Sequence, residues 1–130
     1  METLTAGHMV FGGYAISRTT AGSVVLVSGV LPGEEFTARI QARKGVRFGT
    51  PRDIISPSPH RVPGHPHPGL DYSHITYDQQ LVFKQDVFVD SIRRIREQFP
   101  DHIPITRSPS EWQYRNTVQP AVDTAAGLGY

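Results

Sequence analysis

The first half of the chain distributes its apolar residues at the length and period of β-strands. Met9–Ile16 carries Val10, Phe11, Tyr14 and Ile16, interrupted by Gly12-Gly13. Val24–Val27 is a short apolar run that follows Ala21-Gly22. Pro32-Gly33 marks a turn, because proline presets φ and glycine accepts a positive φ. In Glu35–Arg43 the alternation is clear. Phe36, Ala38, Ile40 and Ala42 fall on one side, and Glu35, Thr37, Arg39, Gln41 and Arg43 on the other. Lys44-Gly45 turns the chain, and Val46–Ile55 supplies a further strand broken around Pro51. Four or five short strands with glycine-rich connections predict a small closed β-barrel over residues 1–60.

Beyond it the pattern changes twice. Five prolines fall between Pro57 and Pro68. Residues 61–75 therefore read as a linker or a tightly draped loop. Then Leu81, Phe88, Ile92, Ile95 and Phe99 recur at helical spacing, with Val82 and Val89 widening the stripe. This predicts a helix over 77–99, capped by Thr76 with Gln79 and ended by Pro100. Arg93, Arg94 and Arg96 come late in it, where cations suit the helix dipole, or else reach a ligand. Ser108-Pro109-Ser110-Glu111 reads as a second helix start. Arg115–Val122 reads as a strand in which Pro120 marks an edge or a break. The fold class is α+β: an OB-like barrel, then a helix and the beginning of a second α/β unit over 76–130. One helix with one strand buries itself poorly, so that unit either docks on the barrel or is cut short.

Composition narrows the function. The 130 residues carry a net charge of +1, unevenly spread. Seven of the 13 basic and four of the 12 acidic side chains lie in residues 1–62. Any surface for a polyanion is thus a local patch of the first half. Hydrophobic residues make up 38% of the chain, enough for a modest core. No apolar run approaches membrane-spanning length, and no basic-then-apolar leader opens the chain. With no cysteine there is no disulfide, thiolate metal site or cysteine nucleophile. A cytoplasmic, monomeric protein without membrane association is the expectation.

Four of the six histidines, His60, His65, His67 and His74, lie in residues 60–80. Zinc could draw on His65, His67 and His74, with Asp71 or Asp78 nearby. His-x-His alone among prolines is a weak pattern, and loop histidines at a domain junction are the favoured reading. His74, just before the helix, is expected to hydrogen-bond backbone. Neither a phosphate-binding glycine loop nor a nucleophile elbow is present. A complete active site within these residues is not expected.

The segments MVFGGYAISR, VLVSGVLPGEEFTARI and SPSPHRVP resemble the N-terminal region of RNA (uracil-5-)methyltransferases. HITYDQQLVFK resembles the segment leading into that family's central domain, through His74, Tyr77, Gln80, Leu81 and Lys84. YRNTVQPAV resembles its Tyr-Arg-Asn motif, carried by Tyr114, Arg115 and Asn116, and GLGY its following strand. The resemblance covers nearly the whole chain, in order. It implies a TRAM domain, a small OB-like barrel that binds RNA, and the start of a central domain. It also implies S-adenosylmethionine as the cofactor of the whole enzyme, on a catalytic domain that this chain lacks. Many members hold a four-cysteine iron–sulfur cluster in the region that is GHPHPGLDYS here. His67 and Leu70 stand about where two of those cysteines would, so no such cluster is expected. The ending within a strand favours the amino-terminal part of a longer enzyme over a natural short protein.

For RNA the chemistry asks for cations on phosphates and flat side chains on bases. Arg39, Arg43, Lys44, Arg47 and Phe48 gather around the Arg43–Gly49 hairpin, with Arg18 and Arg52 flanking. The competing reading is a solvated basic edge that guards a barrel seam. By resemblance Tyr114, Arg115 and Asn116 lie near bound rRNA or tRNA; packing of Tyr114 and ion pairing of Arg115 are equally open. Trp112 reads as core or interface. The main rival function is a non-catalytic protein-interaction module, or a stand-alone RNA-binding protein, presenting the helix 77–99 to a partner or to the missing catalytic domain.

Overall fold

A computed structural model describes residues 1–64 and 70–117, and the backbone of residues 121–122 and 128–129. Six strands form one sheet: β1 (Glu2–Thr5), β2 (Met9–Val10), β3 (Tyr14–Arg18), β4 (Val24–Ser28), β5 (Glu35–Arg43) and β6 (Val46–Ser56). Their order across the sheet is β1-β5-β6-β4-β3-β2. All neighbours are antiparallel except β4 and β6, which run parallel with Leu26 level with Phe48. The sheet curls into an OB-like half-barrel. At one end the chain after β1 draws the margins together: the Ala6 N–H donates to the Glu34 carbonyl and the Gly33 N–H to that of Ala6, and the Gly7 N–H donates to the Ile16 carbonyl of β3 at 2.6 Å.

Alternation decides the core. Leu4, Ala6, Met9, Ala15, Val25, Val27, Val30, Phe36 and Ala38 fill the concave side. Small residues dominate because the two walls are close. At Gly49 a Cβ would stand 2.8 Å from Val27 Cγ2 and 3.2 Å from Val25 Cγ1. The inward parity read along β5 holds for Phe36 and Ala38; Ile40 is half-buried and Ala42 exposed, because the hairpin overruns the barrel.

The turns follow their sequences. Lys44 and Gly45 both take positive φ, 50° and 81°, joining Arg43 to Val46 in a two-residue hairpin of the type that matches strand twist. Phe11, Gly12 and Gly13 join Val10 to Tyr14, with both glycines at positive φ. The expected strand Met9–Ile16 is therefore two strands and a hairpin. The expected break at Pro51 does not occur. Beyond Gly49, β6 no longer pairs with β4, so proline's missing N–H costs no ladder bond there; the neighbouring register of β5 shifts instead. β1, unremarked in the sequence pattern, completes the sheet.

The α-helix α1 runs Tyr77–Arg93, six residues shorter than the 77–99 predicted. Thr76 sits at the N-cap without a side-chain bond, so the expected capping box is not made. Gln80 acts in its place, its amide donating to the carbonyls of Tyr72 (3.0 Å) and Ile75 (2.9 Å). The helix ends before Pro100 because Ile95 and Arg96 both bond back to the Ile92 carbonyl, and the chain folds Phe99 edge-on to Phe88. Arg93 lies in the last turn, as the dipole favours, and pairs with Asp101.

The apolar stripe does not face the barrel as a whole. Phe83 and Val87 pack on the core, and Val87, Asp90, Ser91 and Arg94 meet Val10, Ile16 and Leu26 on the sheet's outer face. Val89 is the buried residue of the helix; Val82, Phe88 and Ile95 are exposed. Residues 108–113 form bends rather than the second helix predicted from Ser108-Pro109. Of the strand read over Arg115–Val122, residues 115–117 are not in a strand, residues 118–120 lie outside the described residues, and Ala121–Val122 form β7, paired antiparallel with β8 (Leu128–Gly129).

Residues 61–75 are anchored at both ends. Arg61 and Ile75 form a β-bridge, with the Val62 N–H donating to the His74 carbonyl (3.0 Å) and the Thr76 N–H to that of His60 (2.9 Å). Arg61 also grips the fully buried Glu34. Its Nε donates to Oε1 at 2.7 Å, and its Nη2 to Oε2 at 2.6 Å and to the Gly29 carbonyl at 2.9 Å. The Leu31 and Ser58 N–H groups complete the carboxylate's bonds.

Candidate nucleic-acid interface

Strand register assembles the outer face of the half-barrel. Tyr14, Ile16 and Arg18 of β3 pair with Ser28, Leu26 and Val24 of β4, while Arg39, Gln41 and Arg43 of β5 pair with Thr50, Phe48 and Val46 of β6. Side chains directly opposite share a face, so all of these point outward. The parallel register, carried two residues past Leu26 and Phe48, brings Arg18 and Arg43 to the same end of the sheet. Three strand steps of about 4.8 Å separate them by about 14 Å. Arg52, exposed two residues after Thr50, sits in the register shift opposite Thr37, at the margin of this face. At the centre Phe48 meets Tyr14, ring centroids 5.7 Å apart and tilted by 59°. Helix α1 covers one flank, over Ile16 and Leu26, and Arg94 stands in that seam.

Four of the sequence-selected residues thus share a face, Arg18, Arg39, Arg43 and Phe48, with Arg52 at its margin. The four arginines are solvent-exposed. Among the described residues, the side-chain bond given to this set is Arg18 to the Gly22 carbonyl, at 3.4 Å. Arg47 pairs with Ala42, so it belongs to the opposite face, and Lys44 occupies the hairpin turn.

Tyr114 is elsewhere. It is 72% exposed and lines a cleft of about 990 Å³ beside the barrel. Arg115 and Asn116 are exposed beyond it. Sequence reasoning missed most of this cleft. Phe11 from the β2–β3 turn, Tyr72 and Tyr77 at the start of α1, and Trp112 all line it, with Lys84 and Arg107. Trp112 was read as core or interface and is 53% exposed. The overlooked signal was local: Phe11 precedes two glycines, and a three-residue loop must expel its first side chain. Arg107 lies over the Tyr77 ring at 4.9 Å and pairs with Asp78 and Glu111; the Ser108 N–H donates to the Tyr77 hydroxyl at 2.8 Å. Lys84 stands 5.9 Å over Tyr72, whose hydroxyl pKa is raised by burial and by Asp71.

Metal binding gains no support from geometry. His65 and His67 lie outside the described residues, and among the described ones no three His, Asp or Glu side chains gather. His74 is buried and bonded to the Val30 backbone, the junction role expected of it. Burial, then the Arg61 charge, lowers its pKa, and its Nε2 has no partner. Burial alone would raise the Glu34 pKa, but the bonds from Arg61, Ser58 and Leu31 outweigh it and hold it below the usual carboxylate value. Among the described residues, the stretch 70–76 that leads into α1 carries no glycine. Among the described residues, no helix is long and apolar enough to cross a membrane.

No protein-family model matches the chain. Curated relatives do. An uncharacterised RNA methyltransferase of Bdellovibrio bacteriovorus is 29% identical over 124 residues, covering 90% of this chain and 31% of that one. The 23S rRNA (uracil(1939)-C(5))-methyltransferase RlmD of Stenotrophomonas maltophilia is 36% identical over 110 residues, covering 79% of this chain and 24% of that one. Among solved structures, the tRNA (uracil-54, C5)-methyltransferase of Pyrococcus abyssi aligns with a TM-score of 0.67 at 23% identity, over 98% of this chain and 28% of that one, a likeness of fold. The chain is thus similar to a part of proteins named as RNA methyltransferases. It spans between 18% and 31% of the length of the curated relatives it matches.

Proposed function

We propose that the half-barrel binds single-stranded segments of rRNA or tRNA and positions them for a methyltransferase domain outside these residues. The observation that carries this is the outer face, where Arg18, Arg39, Arg43 and Arg52 surround the Tyr14–Phe48 pair. Exposed arginines supply phosphate contacts and flat planes, and the ring pair offers a base-stacking edge. The similarity to RNA methyltransferases supports the same partner. In this reading the protein itself performs no methyl transfer through the described residues. S-adenosylmethionine, and the chemistry at the uracil C5, belong to the longer enzyme. No residue here need contact the cofactor.

Binding is expected to be modest and salt-dependent. Three to five phosphate contacts on a single strand give a log–log salt slope of roughly −2 to −3.5. Fluorescence anisotropy of a labelled single-stranded oligoribonucleotide across a salt series tests this. A flat salt response sinks the reading.

A second reading, a protein-interaction module, draws on a different observation: Val82 and Phe88 stand exposed along α1, and Ile95 just beyond its end. Such a stripe suits a protein surface. It lies on the helix, apart from the cationic sheet face, so the two readings are compatible.

A further inference from the structure

The cleft beside the barrel is bounded by four separate pieces of chain: the β2–β3 turn, residues 62–63, residues 70–84, and residues 107–114. Among the described residues, the large exposed aromatic side chains are Phe11, Phe88, Trp112 and Tyr114, and three of these four line this cleft. Phe11 is 86% exposed. Tyr72 and Tyr77 add two half-buried rings. Exposed rings that converge on one concavity mark a binding site rather than scattered surface apolarity.

The charges of the cleft say what kind of ligand fits. Arg107 is tied to Asp78 and Glu111 and lies over Tyr77, Lys84 stands over Tyr72, and Asp71 adds a third carboxylate. Positive charge is thus answered from within, and the cleft does not attract phosphate. A flat, neutral group with polar edges fits instead, since ring faces stack on it and carboxylates accept from exocyclic amines. A nucleobase is such a group.

The cleft is also continuous with the cationic face. A Cβ at Gly12 would sit 3.2 Å from the Tyr14 ring, so Tyr14, already against Phe48, lies beside the turn that carries Phe11. Phe11 lines both the cleft and the seam where α1 meets Ile16 and Leu26. Aromatic surface therefore runs from Phe48 through Tyr14 and Phe11 to Trp112 and Tyr114.

We propose that the cleft receives an unstacked base of the same RNA strand whose phosphates lie on the outer face of the half-barrel. The inference rests on the RNA reading of that face. The division of labour is specific: arginines of the sheet hold the backbone, and the cleft holds a base.

Trp112 is the one tryptophan of the chain, so intrinsic fluorescence reports the cleft directly. The full chain would be titrated with a mixed-sequence oligoribonucleotide of about ten residues, a length within the usual single-strand site sizes. Anisotropy of a labelled copy reports binding anywhere. The expected result is a Trp112 emission change with the same midpoint as the anisotropy. Tyr114→Ala, at an exposed position, should weaken binding about tenfold and leave the salt slope unchanged. Arg39→Ala with Arg43→Ala should instead lower the slope. RNA binding with unchanged Trp112 emission, and Tyr114→Ala indistinguishable from wild type, overturns the cleft proposal and leaves the barrel reading intact. Absence of any anisotropy change at low salt removes both. An emission response to an oligoarginine peptide and none to RNA makes the cleft a peptide site and also overturns the proposal.

Discussion

Arg61 forks onto Glu34, two nitrogens on two carboxylate oxygens at 2.7 and 2.6 Å, across 27 positions of sequence. This contact ties the first residue of the proline-rich segment to the turn between β4 and β5. Glu34 is wholly buried, so removing the cation leaves a carboxylate in the core with its charge unpaired and only the Leu31 and Ser58 N–H groups to answer it. Arg61→Ala is expected to cost about 3–5 kcal/mol in urea unfolding. Glu34→Gln together with Arg61→Met should recover much of that loss, because the buried charges then vanish together.

Acid should weaken the fold in two stages. His74 has a folded-state pKa below its ordinary 6.5, so the unfolded chain binds the proton more readily. Its contribution is fully present above about 6.5 and is lost as pH falls below it. Glu34, lowered from 4.5, adds a second loss as pH falls from there through its folded value. Melting temperatures measured between pH 8 and pH 4 should therefore decline on acidification, and His74→Gln should flatten the arm nearest neutrality. A melting temperature that rises as pH falls from 7 to 5.5 contradicts this account.

Gly49 faces Val25 and Val27 across the curled sheet. Gly49→Ala places a methyl group where the gap is 2.8 Å, and the neighbour is a β-branched side chain with few rotamers. An overpacking cost of about 1–3 kcal/mol is expected by chemical denaturation. The same change at Gly22 meets nothing within 4 Å, so its cost is that of the positive φ alone.

Arg39 and Arg47 differ in face, not in charge. Arg39→Ala should reduce the RNA salt slope by about 0.7, whereas Arg47→Ala should leave it nearly unchanged. Equal effects of the two substitutions would mean that binding depends on net charge rather than on the outer face.

The stripe on α1 divides into one load and several bystanders. Val89→Ala should destabilise by about 1–2 kcal/mol, as a buried aliphatic does. Ile95→Glu, at a position 85% exposed, should stay within about 0.5 kcal/mol of wild type by thermal melting.

These contrasts mark where the sequence was legible. Alternation in Glu35–Arg43 and the turn residues Lys44-Gly45 and Pro32-Gly33 are local signals, and the curled sheet followed from them, although it forms a half-barrel where a closed barrel was expected. The outward grouping of Arg39, Arg43 and Phe48 needed the register of one hairpin, which the two-residue turn dictates. Helical spacing located α1 but not its end, because tertiary contacts of Phe99 and the Ile92 carbonyl cut it short. It also could not say which side of the stripe meets the barrel. The Glu34–Arg61 pair and the aromatic cleft join residues distant in sequence, and no periodicity encodes such a meeting. Proline density suggested slack between residues 61 and 75, whereas the Arg61–Ile75 bridge closes that segment at its base.

The strand order has a consequence for the history of each molecule. β1 leaves the ribosome first, yet its partner is β5, about thirty positions later, and β4 waits for β6 across the whole of β5. Zippering of neighbouring hairpins can assemble β2-β3-β4 and β5-β6 as two separate pieces, but the parallel seam between them must join by diffusion. β1 is thus a strand without a home until β5 has emerged, and the half-barrel closes its parallel seam only once β6 has followed.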